Sequence, residues 1–289
     1  MNFLSIKKPK NLPKLKKIDF KLINDPLENV IKKFINLLKY ETRPPKNFNL
    51  NLWGLLESSY LAYKAARKLI ARDPKYPVQA HILSRSILDS LFNICLLVED
   101  PNYYSRKFEL AGYLSWRKEY ERRKIEYEND PRFKELIDIF QEHIEKGAKY
   151  YNLSNEEKEN PEKNIKRWPI PSRILNKKLI KSTEKRESLQ KIYKDHYGEV
   201  SEISHQTFTG MAMGVYANIP EEHWYPEKIG SDALYRCILF LLMILSEIDA
   251  EMIYKQNQKL KYIWTLLSSF FLEAKEYYNI RYDNLLQYK

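Results

Sequence analysis

Two apolar segments of the chain each carry a column of polar residues spaced four apart. In residues 80–100 the column is His81, Arg85, Asp89 and Asn93, set among isoleucine, leucine and phenylalanine. Residues four apart lie above one another on a helix, so the pattern predicts an apolar helix with a polar stripe. Buried polar groups need hydrogen-bonding partners, and this stripe is therefore a candidate polar site.

The second column lies in residues 195–210 and consists of Tyr197, Ser201 and His205, with Glu202 one turn from His205. Its spacing again predicts a helix, for which Gly198 is a candidate break. Both predicted helices are too apolar elsewhere to leave their polar columns unpaired. We therefore expect the two columns to face each other across a shared site.

The rest of the chain reads as helices separated by proline-containing turns. The Asp25-Pro26 pair predicts a helix start, and further helices are expected over residues 50–72, from Pro101, from Pro131, over residues 231–256 and over residues 260–287. Residues 151–182 break the periodicity and predict a long excursion over the helices, with an exposed Trp168. Alternating β-branched runs are missing from the sequence. The predicted fold class is all-α: a single bundle of about eight helices over residues 25–289, after a basic arm over residues 1–24.

Charge adds a possible class of partner. The chain has a net charge of +11. Seven lysines and a single aspartate lie in residues 1–21, and a second basic stretch covers residues 163–194. Two explanations stay open for both stretches. They attract phosphates or another acidic partner, or they are solvated basic segments in a chain whose lysine, isoleucine and asparagine content reflects an AT-rich genome.

Other features of the composition bear on location. The amino terminus lacks the sustained apolar core of a signal peptide, and the most apolar stretch, residues 237–245, is too short to span a bilayer. Cys95 and Cys237 lie inside apolar helical patterns, where a thiol acts as a small hydrophobe. These features predict a soluble, cytoplasmic protein with no membrane partner and no disulfide framework.

Several chemistries are excluded by missing motifs. The sequence has no phosphate-cradling glycine loop, no GxSxG, no HExxH and no CxxC pair, which excludes P-loop nucleotide hydrolysis. Glu202 and His205 have the spacing used by di-iron carboxylate proteins, which need a second such motif and two more carboxylates. Because the chain has one convincing copy, we expect no metal and no cofactor.

The candidate catalytic residues are Arg85, Asp89 and His205. Arg85 supplies a permanent positive charge for a phosphate, His205 exchanges a proton near neutral pH, and Asp89 orients Arg85. This set suits metal-independent RNA cleavage, in which His205 activates the ribose 2′-hydroxyl or protonates the leaving oxygen. The alternative is a buried structural network, with Arg85 paired to Asp89 and His205 hydrogen-bonded across the core.

The order of the motifs resembles an uncharacterised prokaryotic family, domain of unknown function 5677. RSILDSLFNICLLVEDP is followed by an aromatic-rich helix containing Arg106, and then by YGEVSEISHQTFTG. Family members carry an arginine followed four residues later by an acidic residue, which corresponds here to Arg85 and Asp89, with aspartate where glutamate is expected. They also carry a Tyr-x-x-x-Ser-x-x-x-His pattern, which corresponds to the column that starts at Tyr197. The resemblance covers residues 53–252.

More distantly, the helical bundle is similar to HEPN domains, many of which are ribonucleases of toxin-antitoxin and antiviral systems. Their hallmark, an arginine and a histidine with four to six residues between them on one helix, is missing, so an active site would be assembled between helices. The resemblance implies an intracellular defence or stress protein that cleaves or binds RNA. Its partners would be RNA or another acidic molecule, and a second copy or the product of a neighbouring gene. The competing class is a non-enzymatic interaction module. The candidate binding residues are His81, Arg106, Tyr197, Ser201 and Glu202.

Overall fold

The computed structural model describes residues 20–43, 45–72, 76–127, 130–165, 167–199, 201 and 224–287. These residues form helices and turns and no strand, so the fold is all-α, as predicted. The α-helices are α1 (Lys21–Lys39), α2 (Lys46–Arg72), α3 (Pro77–Leu97), α4 (Pro101–Glu126), α5 (Lys134–Tyr150), α6 (Asn155–Glu159), α7 (Pro161–Asn164), α8 (Pro171–Ile174), α9 (Thr183–Ile192), α10 (Trp224–Met252), α11 (Asn257–Phe270), α12 (Leu272–Tyr277) and α13 (Asp283–Leu285). Two π-helical turns, Tyr193–Tyr197 and Tyr278–Tyr282, follow α9 and α12.

Helices α3 and α10 form the centre of the fold. α3 packs along both α2 and α10, while α1 contacts α2, α10 and α11. Residues 233–249 of α10 are all buried, including the polar side chains among them. A helix that is apolar on every side must be surrounded by other elements. The position of α10 therefore follows from its composition.

Two helical segments are long and apolar enough to cross a membrane by length and composition, Val78–Leu97 and Ile229–Met252. The stretch predicted to be too short, residues 237–245, forms the middle of the second segment, because α10 continues the apolar pattern on both sides of it. The fold buries 67% of the apolar 18-residue window in the first segment and 89% of that in the second. Burial in a helical core accounts for this composition, since a core helix passes the same test as a membrane span.

The division into helices differs from the predicted one. Short helices between α5 and α9 and near the carboxyl terminus raise the number above the eight expected. α1 begins at Lys21 rather than at Asp25, and α10 begins before residue 231. In α1 the extension has a tertiary cause: Ile23 is fully buried, and Asn24 Oδ1 accepts a hydrogen bond of 2.5 Å from the Tyr63 hydroxyl on α2. Residues 1–19 of the predicted basic arm lie outside the described residues.

Residues 151–182 contain α6, α7 and α8; the first part packs against α4 and α5, whereas α8 contacts α3. A small second core joins them to α4; its buried members are Tyr113, Leu114, Leu153 and Ile165. Trp168 is not exposed as predicted. Its indole Nε1 donates a hydrogen bond of 2.8 Å to Asn93 Oδ1, and its ring meets Phe108 edge-on with centroids 4.9 Å apart. This excursion is therefore attached to the central helix α3.

Four charged side chains, Glu99, Lys185, Glu247 and Arg281, form what we call the closed ion cluster. Arg281 donates to both carboxylate oxygens of Glu247, with 2.7 Å between Nη2 and Oε2. Lys185 Nζ lies 2.6 Å from Glu99 Oε1 and 3.7 Å from Glu247 Oε2. Burial opposes ionisation of Glu247, but Arg281 and Lys185 outweigh it and lower the pKa of the carboxyl. Two positive and two negative charges thus tie α9 and the carboxyl-terminal turns to the centre of the fold.

Candidate functional site

Arg85 and Tyr197 join the two predicted polar columns. Arg85 Nε donates to Asp89 Oδ2 at 3.0 Å, Nη1 donates to the Tyr197 carbonyl oxygen at 3.4 Å, and Nη2 donates to the Tyr197 hydroxyl. The guanidinium carbon lies 3.6 Å from the centroid of the Tyr197 ring. This distance is within the range of a cation–π interaction. One guanidinium therefore connects α3 to the π-helical turn after α9.

The Tyr197 ring is itself held by aromatic neighbours. It stacks on Tyr193 with centroids 4.6 Å apart, and it meets Phe92 edge-on at 6.1 Å. Burial raises the pKa of Tyr197, so its hydroxyl stays protonated at neutral pH. The Arg85 side chain is 15% exposed, whereas that of Asp89 is 43% exposed. The column therefore reaches solvent through Asp89 more than through Arg85.

The π-helical turn Tyr193–Tyr197 determines which side chains face the core here. Such a turn inserts an extra residue into the helix and rotates the side chains that follow it. His196 points inward and meets the Phe240 ring edge-on at 5.5 Å, while Tyr197 faces Arg85. Gly198 has helical backbone dihedrals, so the predicted break at this glycine was wrong. The irregularity lies one residue earlier, where a single sequence gives no glycine or proline signal.

A second buried polar group, which we call the histidine-arginine cluster, lies next to this turn. Its members are His81, His196, Glu199, Arg236 and Glu273. Arg236 Nη2 donates to Glu199 Oε2 at 2.7 Å, and His196 Nε2 lies 3.0 Å from Glu273 Oε1. Burial opposes ionisation of Glu273, but His196 outweighs it and the pKa of Glu273 is lowered. The cluster draws on α3, the segment after α9, α10 and α12.

Several polar atoms of this cluster lack hydrogen bonds. Among the described residues, His81 Nδ1, His196 Nδ1 and Arg236 Nη1 are buried without a hydrogen-bond partner. Unsatisfied buried groups are rare in folded proteins and need a specific cause. Glu199 and Ser201 immediately precede residues 202–223 in the chain. The cluster is therefore located where the segment carrying Glu202 and His205 begins.

His81 faces the core rather than solvent. It is 1% exposed, and burial, followed by the positive charge of Arg236, lowers the pKa of its imidazole to about 3. At neutral pH the imidazole is uncharged and carries a single N–H proton. In this arrangement His81 supports the packing of α3 against α10 and has no path to a ligand in solvent.

The other predicted site residues are divided among three places. Ser201 continues the helical segment that contains Tyr197, while Glu202 and His205 lie outside the described residues. Arg106 is exposed on α4 and lines a depression of about 280 Å³ with Tyr103 and Asn164, apart from the Arg85 column. The structure therefore brings Arg85, Asp89 and Tyr197 together and places Arg106 elsewhere.

Sequence reasoning missed His196, Glu199 and Arg236. A signal did exist for Arg236, which is a lone charge at the edge of a long apolar run and must find a partner when the run is buried. His196 and Glu199 are three residues apart, close enough to share a helical face. Their roles depend on the π-helical turn, which the spacing did not predict.

The arrangement suits orientation of a chain segment more than direct chemistry by the described side chains. In the ranges that the structure describes, no group of three or more His, Cys, Asp and Glu side chains is placed to hold a metal ion. Three nitrogens of Arg85 already donate to neighbours within the fold. A bidentate grip on a phosphate would need Arg85 to give up some of these bonds.

The fold and the joined columns define an all-α protein with a buried arginine-tyrosine contact between two helical segments. Residues 49–218 match the model of a family described as a family of unknown function (DUF5677). The chain belongs to this family. The match ends before α10, whereas the resemblance was expected to extend to residue 252, so Arg236, Glu247, Glu273 and Arg281 lie beyond the matched residues. No curated protein and no solved structure matches the chain.

Proposed function

We propose that this chain is an RNA-binding protein with a HEPN-like helical bundle, acting in an intracellular defence or stress system. The observation that carries the proposal is a set of exposed basic side chains in residues 163–194 that pair with no carboxylate among the described residues. They are Lys163, Arg173, Lys177, Lys178, Lys181 and Lys194. Unpaired cations on one stretch of chain attract a polyanion such as RNA, and they release its counterions on binding.

The basic side chains at the outer end of α4 offer a useful contrast. Arg117 is paired with Glu121, and Arg122 and Arg123 both lie within hydrogen-bonding distance of Glu119. Paired surface charges present little net field to a distant ligand. The total charge of the chain therefore says less about RNA than the unpaired cations of residues 163–194 do.

Arg85 has a positioning role in this proposal. Its contacts with Asp89 and Tyr197 hold the π-helical turn that precedes Ser201 and His205 in the chain. RNA cleavage by His205, without a metal, is the enzymatic form of the proposal: the imidazole would take the proton of the ribose 2′-hydroxyl or donate one to the leaving oxygen. RNA binding without cleavage is its simpler form.

The second candidate function is a non-enzymatic interaction module. The burial of His81 and the inward hydrogen bonds of Arg85 favour it, since both residues then serve only to position helices. The two candidates differ in whether the chain binds RNA and whether His205 reacts.

RNA binding is tested with two matched triple variants. Lys177, Lys178 and Lys181 are changed together to Gln in one protein, and three exposed lysines on other helices, Lys39, Lys68 and Lys259, in the other. Fluorescence anisotropy with a labelled single-stranded RNA is measured at several salt concentrations. We expect the first variant to lower the salt slope by about 2, because each lost phosphate contact removes about 0.7. Equal slopes for the two variants would overturn the proposed RNA surface.

Cleavage is tested separately with His205→Ala and with a chelator. If the chain is a ribonuclease of the proposed kind, His205→Ala abolishes cleavage at unchanged helical content, and the wild type keeps its activity in the chelator. Chelator-sensitive cleavage would favour a metal bound through Glu202 and His205. RNA binding with no cleavage by the wild type would leave only the simpler form of the proposal.

A further inference from the structure

An open cleft of about 520 Å³ lies between α4 and α5, on the side where Trp168 covers them. Its lining includes small residues of α4, among them Gly112, and aromatic side chains, among them Trp116 and Trp168. Asn51 of α2 and Glu109 of α4 are polar members of the lining. The volume falls within the range of small-ligand pockets in proteins.

Glu109 is oriented by two side-chain amides. Asn47 Nδ2 donates to Glu109 Oε2 at 3.0 Å, and Asn51 Nδ2 donates to Oε1 at 3.4 Å. A carboxylate has about four acceptor positions, so each oxygen keeps capacity for another donor. Burial raises the pKa of Glu109 against the effect of these two amides. A hydrogen bond made here by a ligand is stronger than one made in bulk water.

The aromatic walls offer a flat surface for stacking. Trp116 is 53% exposed, and its ring lies beside that of His143 with centroids 6.0 Å apart and planes 27° from parallel. His143 Nδ1 is 2.7 Å from the Ile139 carbonyl oxygen, which restrains the imidazole. Trp168 is held by its hydrogen bond to Asn93. Aromatic rings and a carboxylate in the lining of one cleft suit a planar group that stacks and donates hydrogen bonds.

Two kinds of planar donor fit such a cleft, an organic cation and a nucleobase. The chain has a net charge of +11, and Trp168 belongs to the basic stretch proposed to bind RNA. A basic surface repels a free cation and concentrates a polyanion, so the surrounding charge favours a base attached to phosphate. Bases of single-stranded RNA are commonly stacked on aromatic side chains and read along their hydrogen-bonding edges.

The carboxylate selects among the bases. Guanine presents two adjacent donors, N1–H and the 2-amino group, which match the two oxygens of one carboxylate. Adenine, cytosine and uracil each place an acceptor beside their donor on that edge, and an acceptor meets repulsion from a carboxylate. We propose that the cleft is a guanine-binding subsite, in which Glu109 accepts from N1–H and the 2-amino group while Trp116 stacks on the base. Its place on an RNA strand rests on the proposed function, whereas binding of a free guanine nucleotide does not.

Gly112 gives a direct steric test. Gly112 lines the cleft, and a Cβ built there meets nothing within 4 Å, so a substitution adds volume to the lining without a steric clash at Cβ. Gly54 on α2 also has open space around its Cβ position and does not line the cleft, which makes it a matched control. Both substitutions replace a helical glycine by a better helix former, and both proteins should fold.

The experiment titrates guanosine 5′-monophosphate and adenosine 5′-monophosphate into the wild type, Gly112→Leu, Gly54→Leu and Glu109→Gln, followed by calorimetry and tryptophan fluorescence. We expect saturable guanosine monophosphate binding in the wild type and Gly54→Leu, its loss in Gly112→Leu, and a roughly tenfold weaker affinity in Glu109→Gln. Equal affinity for the two nucleotides would overturn guanine selection. A response to free arginine but not to the nucleotides would show an organic-cation site instead.

A second arm uses labelled oligouridine with a single central guanosine, inosine or adenosine. Inosine lacks the 2-amino group, so we expect it to bind several-fold more weakly than guanosine, with no such difference in Gly112→Leu. If the RNA affinity depends neither on the central base nor on Gly112→Leu, the subsite is overturned and the proposed function stands. Nucleotide binding without RNA binding would support the subsite and overturn the proposed function.

Discussion

The closed ion cluster and the histidine-arginine cluster are both buried against α10, about 16 Å apart along its axis, yet they differ in how completely they are paired. In the first, Glu247 and Arg281 satisfy each other through two hydrogen bonds. In the second, Arg236 Nη1 and His81 Nδ1 have no hydrogen-bond partner among the described residues. The fold alone accounts for a buried set of charged residues only when every charged group has its hydrogen-bonding partners. The histidine-arginine cluster therefore keeps unused hydrogen-bonding capacity, whereas the closed ion cluster is accounted for as a stabilising contact.

The largest expected effect is on the closed ion cluster. Glu247→Leu leaves Arg281 buried without its carboxylate and Lys185 with a single partner, and should lower the free energy of unfolding by about 3–5 kcal/mol. Urea denaturation followed by circular dichroism measures this change. The double variant Glu247→Leu/Arg281→Met removes both members of the main pair and should be closer to the wild type than Glu247→Leu alone. A double variant as unstable as the sum of the single ones would show that the two side chains are not coupled.

Arg85→Ala should have the next largest effect, about 2 kcal/mol, because it removes a partly buried cation–π contact and the hydrogen bonds to Tyr197. The loss should be smaller than that of Glu247→Leu, since Asp89 is 43% exposed and regains water when Arg85 is gone. Arg85→Lys keeps the charge but not the planar fork, and should recover only a part of the loss. Thermal unfolding of these variants is compared with that of Lys68→Ala, an exposed residue. Equal melting temperatures for Arg85→Ala and Lys68→Ala would show that the contact between Arg85 and Tyr197 contributes nothing to stability.

The pH dependence of stability sharpens the contrast between the clusters. The folded-state pKa of His81 is lowered to about 3, so below the ordinary value of 6.5 the unfolded chain takes up a proton that the folded chain refuses. The contribution of His81 is therefore present above pH 6.5 and is lost as the pH falls. From pH 7 to 5.5 the wild type should lose about 1 kcal/mol more than His81→Gln does. Parallel urea midpoints for the two proteins over this range would contradict a buried, neutral His81.

The smallest expected effect is that of Asp89→Asn, at most about 0.5 kcal/mol, since an exposed ion pair contributes little. The asparagine keeps an oxygen that accepts from Arg85 Nε. A difference well above this value in the same denaturation assay would show that Asp89, like Tyr197, holds Arg85 in place and stabilises the fold.

The sequence predicted some elements of this chain and missed others. Helical periodicity predicted α3 and the helical segment that contains Tyr197. The same reasoning missed the start of α1, which depends on a contact with a distant residue, and the π-helical turn, for which the sequence has no glycine or proline signal. Asn24 bonds to Tyr63, and Trp168 bonds to Asn93, across long stretches of chain. The residues around Trp168 are proline-rich and polar, and they led to the prediction of an exposed side chain. The hydrogen bond to Asn93 holds this side chain against α3 instead.

The sequence by itself determined the all-α class, the apolar central helices and the spacing of the two polar columns, because helix geometry sets which residues share a face over a few turns. Only the tertiary structure decided which polar groups are satisfied. Arg85 and Tyr197 meet across 112 positions of the chain, and Lys185 and Glu99 meet across 86. Such contacts follow from how whole helices pack, and desolvation then makes each pairing, or its absence, count in the energy of the fold.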